Sequence, residues 1–361
     1  MINLMQLLDA TMPVEYKEIS CKSVLSGFGI LDTRFWTRHC FDPYNNCEFN
    51  CVYCDSGVQR QNDFRDFSTP VYVKLNAPQL LARELTRLKR KGVVSLGVAT
   101  DIYQPAEEKY RVTRQILEVL KEHNCPFAIG TKSDLILRDL NLISEASEKS
   151  WCCVSLSLTT LDENLAKLLE PNAPSPKRRL EAVKRLSNEG ITAGIWLAPI
   201  VPYVTDSNEN IAQVVEAAVE NGARFVLGVG LDMRDPVRFK RFLEKHFARL
   251  VPKYERLYKG RDRPCTYYPD EFYLYGLYRK FISMCQSYGV ENYIPHFHTR
   301  RQAWLFYVRN FSRFRGTPVL ELTQLLNYLS PSKEFLQNIQ IRFGDWGLSR
   351  SFLKALRYFP H

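Results

Sequence analysis

With 361 residues, the chain is long enough for a large buried core and for two structural units. Hydrophobic residues at 45% and charged residues at 24% give an ordinary globular balance, with no repeat and no low-complexity segment. No stretch reaches the roughly 18 apolar residues that a membrane-spanning helix needs, so no membrane association is expected.

The N-terminal stretch MINLMQLLDATMPVEYKEIS contains Asp9 and Glu15, lacks a basic start and has no long apolar run. A signal peptide is therefore not expected, and a cytoplasmic location is. Residues 1–39 read as an N-terminal extension. Asp42-Pro43-Tyr44-Asn45-Asn46 and Gly57 read as loop on either side of a cysteine triplet. From about residue 70 to 235, apolar strand-like runs alternate with amphipathic helical ones. Strands are expected at 93–100, 126–132, 151–160, 192–200 and 223–230. Helices are expected at 78–92, 109–124, 137–149, 174–190 and 208–222, with Gly92, Asn124, Gly190 and Gly222 as stop signals.

This alternation predicts an α/β fold with a parallel sheet covered by helices. Counting the segment after Cys54, about six βα units fit, which suits an open, partial (β/α)6 barrel over residues 40–235 better than a closed eight-fold one. Chemistry would then sit at the C-terminal ends of the strands. Residues 236–361 form a basic, aromatic-rich region, expected to be mainly helical over 238–260 and 270–289. The charge lies there: of the net +10, residues from Pro236 onward carry 22 Lys and Arg against 9 Asp and Glu, and the rest 27 against 30. A polyanionic partner such as nucleic acid and a merely solvated basic surface are equally consistent with that excess.

Ten cysteines are too sparse for a disulfide scaffold. Three of them, Cys47, Cys51 and Cys54, fall within eight residues with x3 and x2 spacing. Three thiolates on one loop can each ligate a different iron of a cubane cluster and leave the fourth iron open to a cofactor. Zinc is an alternative if Cys40 or His39 supplies a fourth ligand. A redox dithiol would need only Cys51 and Cys54, leaving Cys47 unexplained. The remaining cysteines read as small buried hydrophobes.

DPYNNCEFNCVYC (42–54) resembles the signature of the radical S-adenosylmethionine (SAM) superfamily. KSVL (22–25), ATDIYQPAEEKYRVTR (99–114), TKSDLILRDL (131–140), residues 157–186 and LAPIVPYVTDS (197–207) extend the resemblance to its spore photoproduct lyase-like branch, also called DNA repair photolyase-like. The likeness runs from about residue 16 to 295. It implies a 4Fe–4S cluster on Cys47, Cys51 and Cys54, with SAM bound at its open iron. It implies reductive cleavage of SAM to a 5′-deoxyadenosyl radical, fed by a flavodoxin- or ferredoxin-like one-electron reductant. It also implies SAM contacts: Thr100 and Asp101 to the ammonium or ribose, Lys132 to the carboxylate, and Ser157 to carboxylate or ribose. Tyr53 would lie near the adenine, with backbone at Ala198 and Pro199 reading the adenine edge. Gln104, Pro105 and Glu107 would shape the loop after the second strand, Glu107 being a further candidate ligand. Singly, Asp101 and Lys132 read equally well as a surface pair, Ser157 as a strand end and Tyr53 as core. At successive strand ends they point together to a ligand.

Two departures from the family pattern stand out. Asp55 follows the triplet where relatives often carry an aromatic. Gly97-Val98-Ala99-Thr100 contains no cysteine where spore photoproduct lyase keeps its hydrogen-donating thiol. Cys40 is the candidate to replace it, with Cys125, Cys152 and Cys153 behind; Cys152 and Cys153 should point to opposite faces of one strand. The substrate clue is HTRRQAWLFYVRNFSRFRG (298–316), whose interleaved basic and aromatic residues suit phosphates and stacked bases. The expected function is repair or modification of a nucleic-acid base. The alternatives are the same chemistry on a peptide or small metabolite, or a non-catalytic zinc-stabilised nucleic-acid-binding protein. His296 and His298 are a weak metal candidate.

Overall fold

In the computed structural model, residues 14–32, 37–54, 70–88, 92–233, 235–259 and 268–295 are described. The expected appendage from about His296, including 298–316, lies outside them. So do His298, Asp55, Gly57 and Cys265.

The chain opens with β1 (Tyr16–Ile19), β2 (Ser26–Asp32), β3 (Thr37–Phe41), β4 (Tyr44–Asn45) and β5 (Val71–Lys74). Strand and helix then alternate through α1 (Ala77–Arg87), β6 (Val93–Leu96), α2 (Ala106–Tyr110), α3 (Val112–Glu122) and β7 (Phe127–Thr131). After a 3-10 turn at Asp134–Asp139 follow α4 (Leu140–Lys149), β8 (Cys152–Ser157), α5 (Glu163–Leu169), α6 (Pro176–Asn188), β9 (Thr192–Ile200), α7 (Asn208–Glu220) and β10 (Val226–Gly230). The described part ends with α8 (Pro236–His246), α9 (Val251–Leu257) and α10 (Glu271–Ser287).

Strands β3, β6, β7, β8, β9 and β10 are parallel neighbours in that order, the six strands of a partial barrel, with β2 antiparallel on the β3 edge. The six-unit expectation holds, but one strand comes from elsewhere. The segment after Cys54 supplies β5, which pairs with β1 and β4 in a separate three-stranded sheet. The first barrel strand is β3, before the triplet, with Cys40 opposite Ser95 and Phe41 opposite Leu96. The cysteine loop thus leaves the C-terminal end of the first strand directly.

Helix boundaries follow local chemistry. Asp162 caps α5 by accepting from Asn164 and Leu165 N–H at 2.9 and 3.0 Å, and Ser207 caps α7 by accepting from Asn210 N–H at 3.1 Å. Pro176 and Pro236 occupy first helical positions, where a missing N–H costs nothing. Asn124, Gly190 and Gly222 take the left-handed conformation past their helices, but α1 ends at Leu88 in extended backbone, before Gly92. The 109–124 helix is broken at Arg111, with φ of 52°. The 238–260 helix splits at Phe247 into α8, a short 3-10 turn and α9.

Strands β6, β7 and β8 are buried at every position, on both faces. On β8, Cys152, Val154 and Leu156 join the large core beneath the helices, while Cys153 packs inward with Val93, Ala128, Phe225, Leu227 and Ile294. Cys152 and Cys153 do face opposite sides, and both are packed, at 3% and 1% exposure. Residues 291–295 close the barrel at the strands' N-terminal ends. Val226 N–H donates to Glu291 O at 2.8 Å and Trp151 Nε1–H to Pro295 O at 3.2 Å. Helix α10 lies against β10 and α7, contributing Leu277, Phe281 and Cys285 to the main core. Among the described residues no helix is long and apolar enough to cross a membrane.

Candidate metal centre and cofactor site

The loop from Asp42 to Cys54 holds its shape through backbone that few residues tolerate. Asn46 and Asn50 sit at φ of 66° and 56°, in the left-handed region that asparagine accepts better than most. Buried Asp42 anchors the start. One carboxylate oxygen accepts from Gly97 and Val98 N–H at 2.7 and 3.0 Å, the other from Ala99 and Thr100 N–H at 2.6 and 3.0 Å. Burial pushes this carboxyl up and the four amides pull it back. Gln104, fully buried, receives Glu48 N–H at 3.0 Å and donates to Asn46 O at 3.1 Å. Glu48 in turn accepts from Ala106 N–H at 2.7 Å and from the Tyr16 hydroxyl at 3.0 Å.

The other flank of the loop is gripped by the turn between α5 and α6 and by α8. Val52 N–H donates to Leu169 O at 2.9 Å, and Asn172 Nδ2 donates to Glu48 O at 2.9 Å. Arg238 Nη2 donates to Asn50 Oδ1 at 2.6 Å. Inside this frame the Tyr53 hydroxyl donates to Glu170, whose second oxygen lies 2.5 Å from Arg179 Nη1. Arg179 and Glu170 side chains are 1% and 0% exposed, and Arg179 also donates to Ser157 O at 2.9 Å and Pro174 O at 2.8 Å.

Cys47, Cys51 and Cys54 lie within one another's electrostatic reach. Burial, then the charges of Asp101, Cys51 and Cys54, pushes the Cys47 thiol up. Burial pushes Cys51 up to about 12, against the pull of the Lys132 ammonium. Lys132, one residue past β7, points its Nζ at the Tyr53 ring, 5.8 Å from the centroid. Burial disfavours its charge, yet Cys51, Glu170 and Asp101 together hold it above its ordinary value. Among the described residues no anion pairs directly with Lys132 Nζ.

A family model for the Radical SAM superfamily matches residues 41–218. The uncharacterized protein Rv2578c of Mycobacterium tuberculosis is 32% identical over 262 residues, covering 70% of this chain and 77% of that protein. The uncharacterized protein MJ0683 of Methanocaldococcus jannaschii is 27% identical over 211 residues, covering 58% of this chain and 76% of its own length. The chain belongs to the radical SAM superfamily. Its fold is shared with solved spore photoproduct lyases. One complexed with dinucleoside spore photoproduct aligns with a TM-score of 0.58 at 13% identity, covering 76% of this chain and 79% of that one. A variant with bound AdoMet and dinucleoside spore photoproduct gives 0.56 at 14% identity, covering 72% and 77%.

Radical SAM membership makes the chain an enzyme and implies a 4Fe–4S cluster and SAM as its cofactors. The residues present fit both groups. The donor set is three thiols, of which Cys47 and Cys51 are raised by burial and by neighbouring charge, a cost that a cationic iron core would relieve. The Lys132 ammonium suits a carboxylate, and Thr159 Oγ1 is buried with no hydrogen-bond partner among the described residues. Zinc fits less well. Among the described residues no group of three or more His, Cys, Asp and Glu side chains is gathered to chelate one ion, and His39 and Cys40 lie within β3.

Of the residues singled out in the sequence, the structure brings Cys47, Cys51, Tyr53, Asp101 and Lys132 into one electrostatic neighbourhood with Cys54. Ser157, Ala198 and Pro199 lie at the ends of β8 and β9, with Ser157 and Ala198 at 4% and 9% exposure. Pro199 has no N–H, so its peptide edge offers only a carbonyl. Asp101 is already engaged: it accepts from Thr131 Oγ1 at 2.6 Å, Tyr103 N–H at 3.0 Å and Lys132 N–H at 2.7 Å. Thr100 Oγ1 donates to Tyr44 O at 3.3 Å. Glu107 is committed to Arg138 at 2.7 Å and to Thr113 N–H at 2.9 Å. A crevice of about 440 Å³, lined by Phe49, Tyr103, Arg138 and Arg178, opens beside the loop on the side of α2 and the 3-10 turn. The sequence reading missed Asp42, Glu48, Glu170 and Arg179. Glu170 and Arg179 stood within the family-like segment 157–186, but nothing local marked them as partners.

Proposed function

We propose that the chain holds a 4Fe–4S cluster on Cys47, Cys51 and Cys54, cleaves SAM reductively there, and directs the resulting radical at a nucleic-acid base. The observation that carries the reading is Lys132: a half-buried ammonium beside Tyr53 and near Cys51, with no directly paired anion among the described residues. When bound, cluster and SAM together supply the electron transfer and hydrogen abstraction. The protein's own residues bind and orient. Lys132 receives the SAM carboxylate; Ser157 and the β9 end at Ala198–Pro199 border ribose and adenine. Asp101 holds the Lys132 amide and so aims that side chain, while Thr100 and Asp42 tie the same strand end to the cysteine loop. Tyr53, fixed by Glu170, walls the adenine side. Cys40 occupies the inner row beside Ser95 and is the candidate hydrogen donor.

Support for a nucleic-acid base comes from the basic, aromatic C-terminal third and from a fold shared with lyases solved with dinucleoside spore photoproduct. The electron comes from a flavodoxin- or ferredoxin-like donor, in a reducing cytoplasm that suits a chain with no disulfide among its nine described cysteines. The test is anaerobic reconstitution with iron and sulfide, followed by incubation with SAM, dithionite and polynucleotides. 5′-Deoxyadenosine together with an altered base is expected. Colourless protein with stoichiometric zinc would overturn the enzyme reading. SAM cleavage with nucleic-acid binding that does not respond to salt would overturn the substrate.

A further inference from the structure

The barrel interior is paved mainly with small residues, and one large aromatic lies among them. Gly130, Ser155 and Gly194 are register partners across β7, β8 and β9; one row nearer the cysteine loop, Ser157, Trp196 and Leu227 are partners across β8, β9 and β10. Ile195 and Leu197, on either side of Trp196, are fully buried in the outer core, so the indole projects inward. It leans back across β8: a Cβ on Gly130 would stand 3.3 Å from Cζ3 and 3.6 Å from Cε3. Gly194, one row below, leaves room for Phe225 instead, since a Cβ there would come within 2.4 Å of Phe225 O and 2.7 Å of its ring. A side chain at Gly130 would press on the ring. The indole stays partly exposed while Ala128, Cys153 and Leu227 around it are at 1–3%.

Three strands agree on its depth. Lys132 is two residues beyond Gly130, Ala198 is two residues beyond Trp196, and Ser157 is its register partner. Trp196 therefore starts level with Ser157, one step below Ala198, and its ring leans back toward Gly130, above the apolar plug of Phe225 and Ile294. That is the space a hydrogen-abstracting radical formed at the loop can reach. Its walls offer a π face and a few hydroxyls but no charged side chain in these rows.

We propose that Trp196 is the platform on which the reacting base of the substrate stacks, so that the pocket takes a planar nucleobase extruded from its strand. This rests on the nucleic-acid reading above. Stacking on an aromatic face is tolerant of base identity and suits a wall without hydrogen-bonding pairs. Phosphates would be gathered elsewhere, by basic residues.

The experiment uses the full-length, cluster-loaded protein, kept anaerobic, with a fluorescein-labelled five-nucleotide thymidine strand and the same strand with an abasic centre. For wild type, the abasic strand should bind about 5- to 150-fold more weakly, the range expected of one stacked base. Trp196→Leu should erase that difference, and Trp196→Phe should keep most of it. Should Trp196→Leu melt early, 5-iodouracil at the central position gives a test on wild type alone, since photocrosslinking should mark the peptide containing Trp196. A base-against-abasic difference that survives in Trp196→Leu, or a crosslink on another peptide, removes Trp196 from the pocket and leaves the nucleic-acid reading standing. Wild type that binds neither strand in a salt-dependent way removes both.

Discussion

The two ends of the barrel are built from the same strands by opposite means. At the N-terminal ends, closure is apolar: Ile294 at 1% and Phe225 at 0% exposure pack with Val93, Ala128 and Cys153, with one indole–carbonyl hydrogen bond at the edge. At the C-terminal ends Val52 and Tyr53 also pack on apolar neighbours, but a set of directional polar contacts is added. Asp42 gathers four successive amides, Gln104 and Glu48 brace the loop from one side, and the Tyr53–Glu170–Arg179 chain braces it from the other. Apolar packing is adaptable and non-directional, whereas a charged or hydrogen-bonded brace has one geometry and is costly when half-made. An end that must hold three sulfurs at fixed positions uses the second kind; an end that only has to exclude water uses the first.

Substitutions at the two ends should separate stability from cofactor retention. The largest effect is expected from Cys51→Ala, which should leave the purified protein without a cluster and without SAM cleavage, measured by iron and sulfide content and by 5′-deoxyadenosine. Retained cleavage would contradict the ligand assignment. Next is Glu170→Gln, which leaves the Arg179 guanidinium, 1% exposed, without its counter-ion. Breaking a buried pair in this way costs about 3–5 kcal/mol. A fall in thermal midpoint on the order of 10 °C is expected, together with reduced iron content after reconstitution, since Tyr53 loses the carboxylate that fixes it.

Ile294→Ala is the comparison at the opposite end. Removing this buried side chain should cost about 2–5 kcal/mol in the same melting experiment. Iron content per folded molecule should match wild type, because Val93, Ala128, Cys153 and Phe225, with which Ile294 packs, lie toward the far ends of the strands from the cysteine loop. If both variants lose iron in proportion to stability, the two ends are not independent and the contrast drawn between them fails.

The same contrast explains what could be read without coordinates. The triplet Cys47, Cys51 and Cys54 stood out by its spacing, while the choice of a cluster over zinc or a redox dithiol leaned on the family resemblance. The strand-end places of Lys132, Ser157 and Ala198 were legible because a regular strand–helix alternation dictates which residues fall there, whereas β6 stops at Leu96, short of Thr100; the SAM contacts assigned to all four are what the family resemblance implies. The first barrel strand was not: TRHCF has none of the apolar continuity of the other strands, and its place depends on pairing with β6. Asp42 read as a loop residue, since four amides contributed by residues 97–100 are invisible from position 42. Glu170 and Arg179 meet only after α6 is folded onto β8. Trp196 lay within an apolar run whose two faces are both buried, so period-two alternation could not say which face was the lumen.

The smallest of these effects concerns Lys132. Lys132→Met keeps most of the side-chain volume and the packing against Tyr53 while removing the charge. A charge-assisted hydrogen bond to a carboxylate is worth about 1.5–3 kcal/mol, so SAM should bind the cluster-loaded variant about tenfold to 150-fold more weakly. The cluster itself should be retained, because Lys132 is no ligand. Its ammonium does lower the Cys51 thiol toward its ordinary value, so without it that thiol should rise further. Cluster assembly in the variant should therefore need a higher pH than in wild type, since below the thiol pKa the reactive thiolate grows tenfold per pH unit. Unchanged SAM affinity with an unchanged pH profile of assembly would place the ammonium outside the site altogether. Weakened SAM binding with an unchanged assembly profile would keep it at the carboxylate and show that its charge does not govern Cys51.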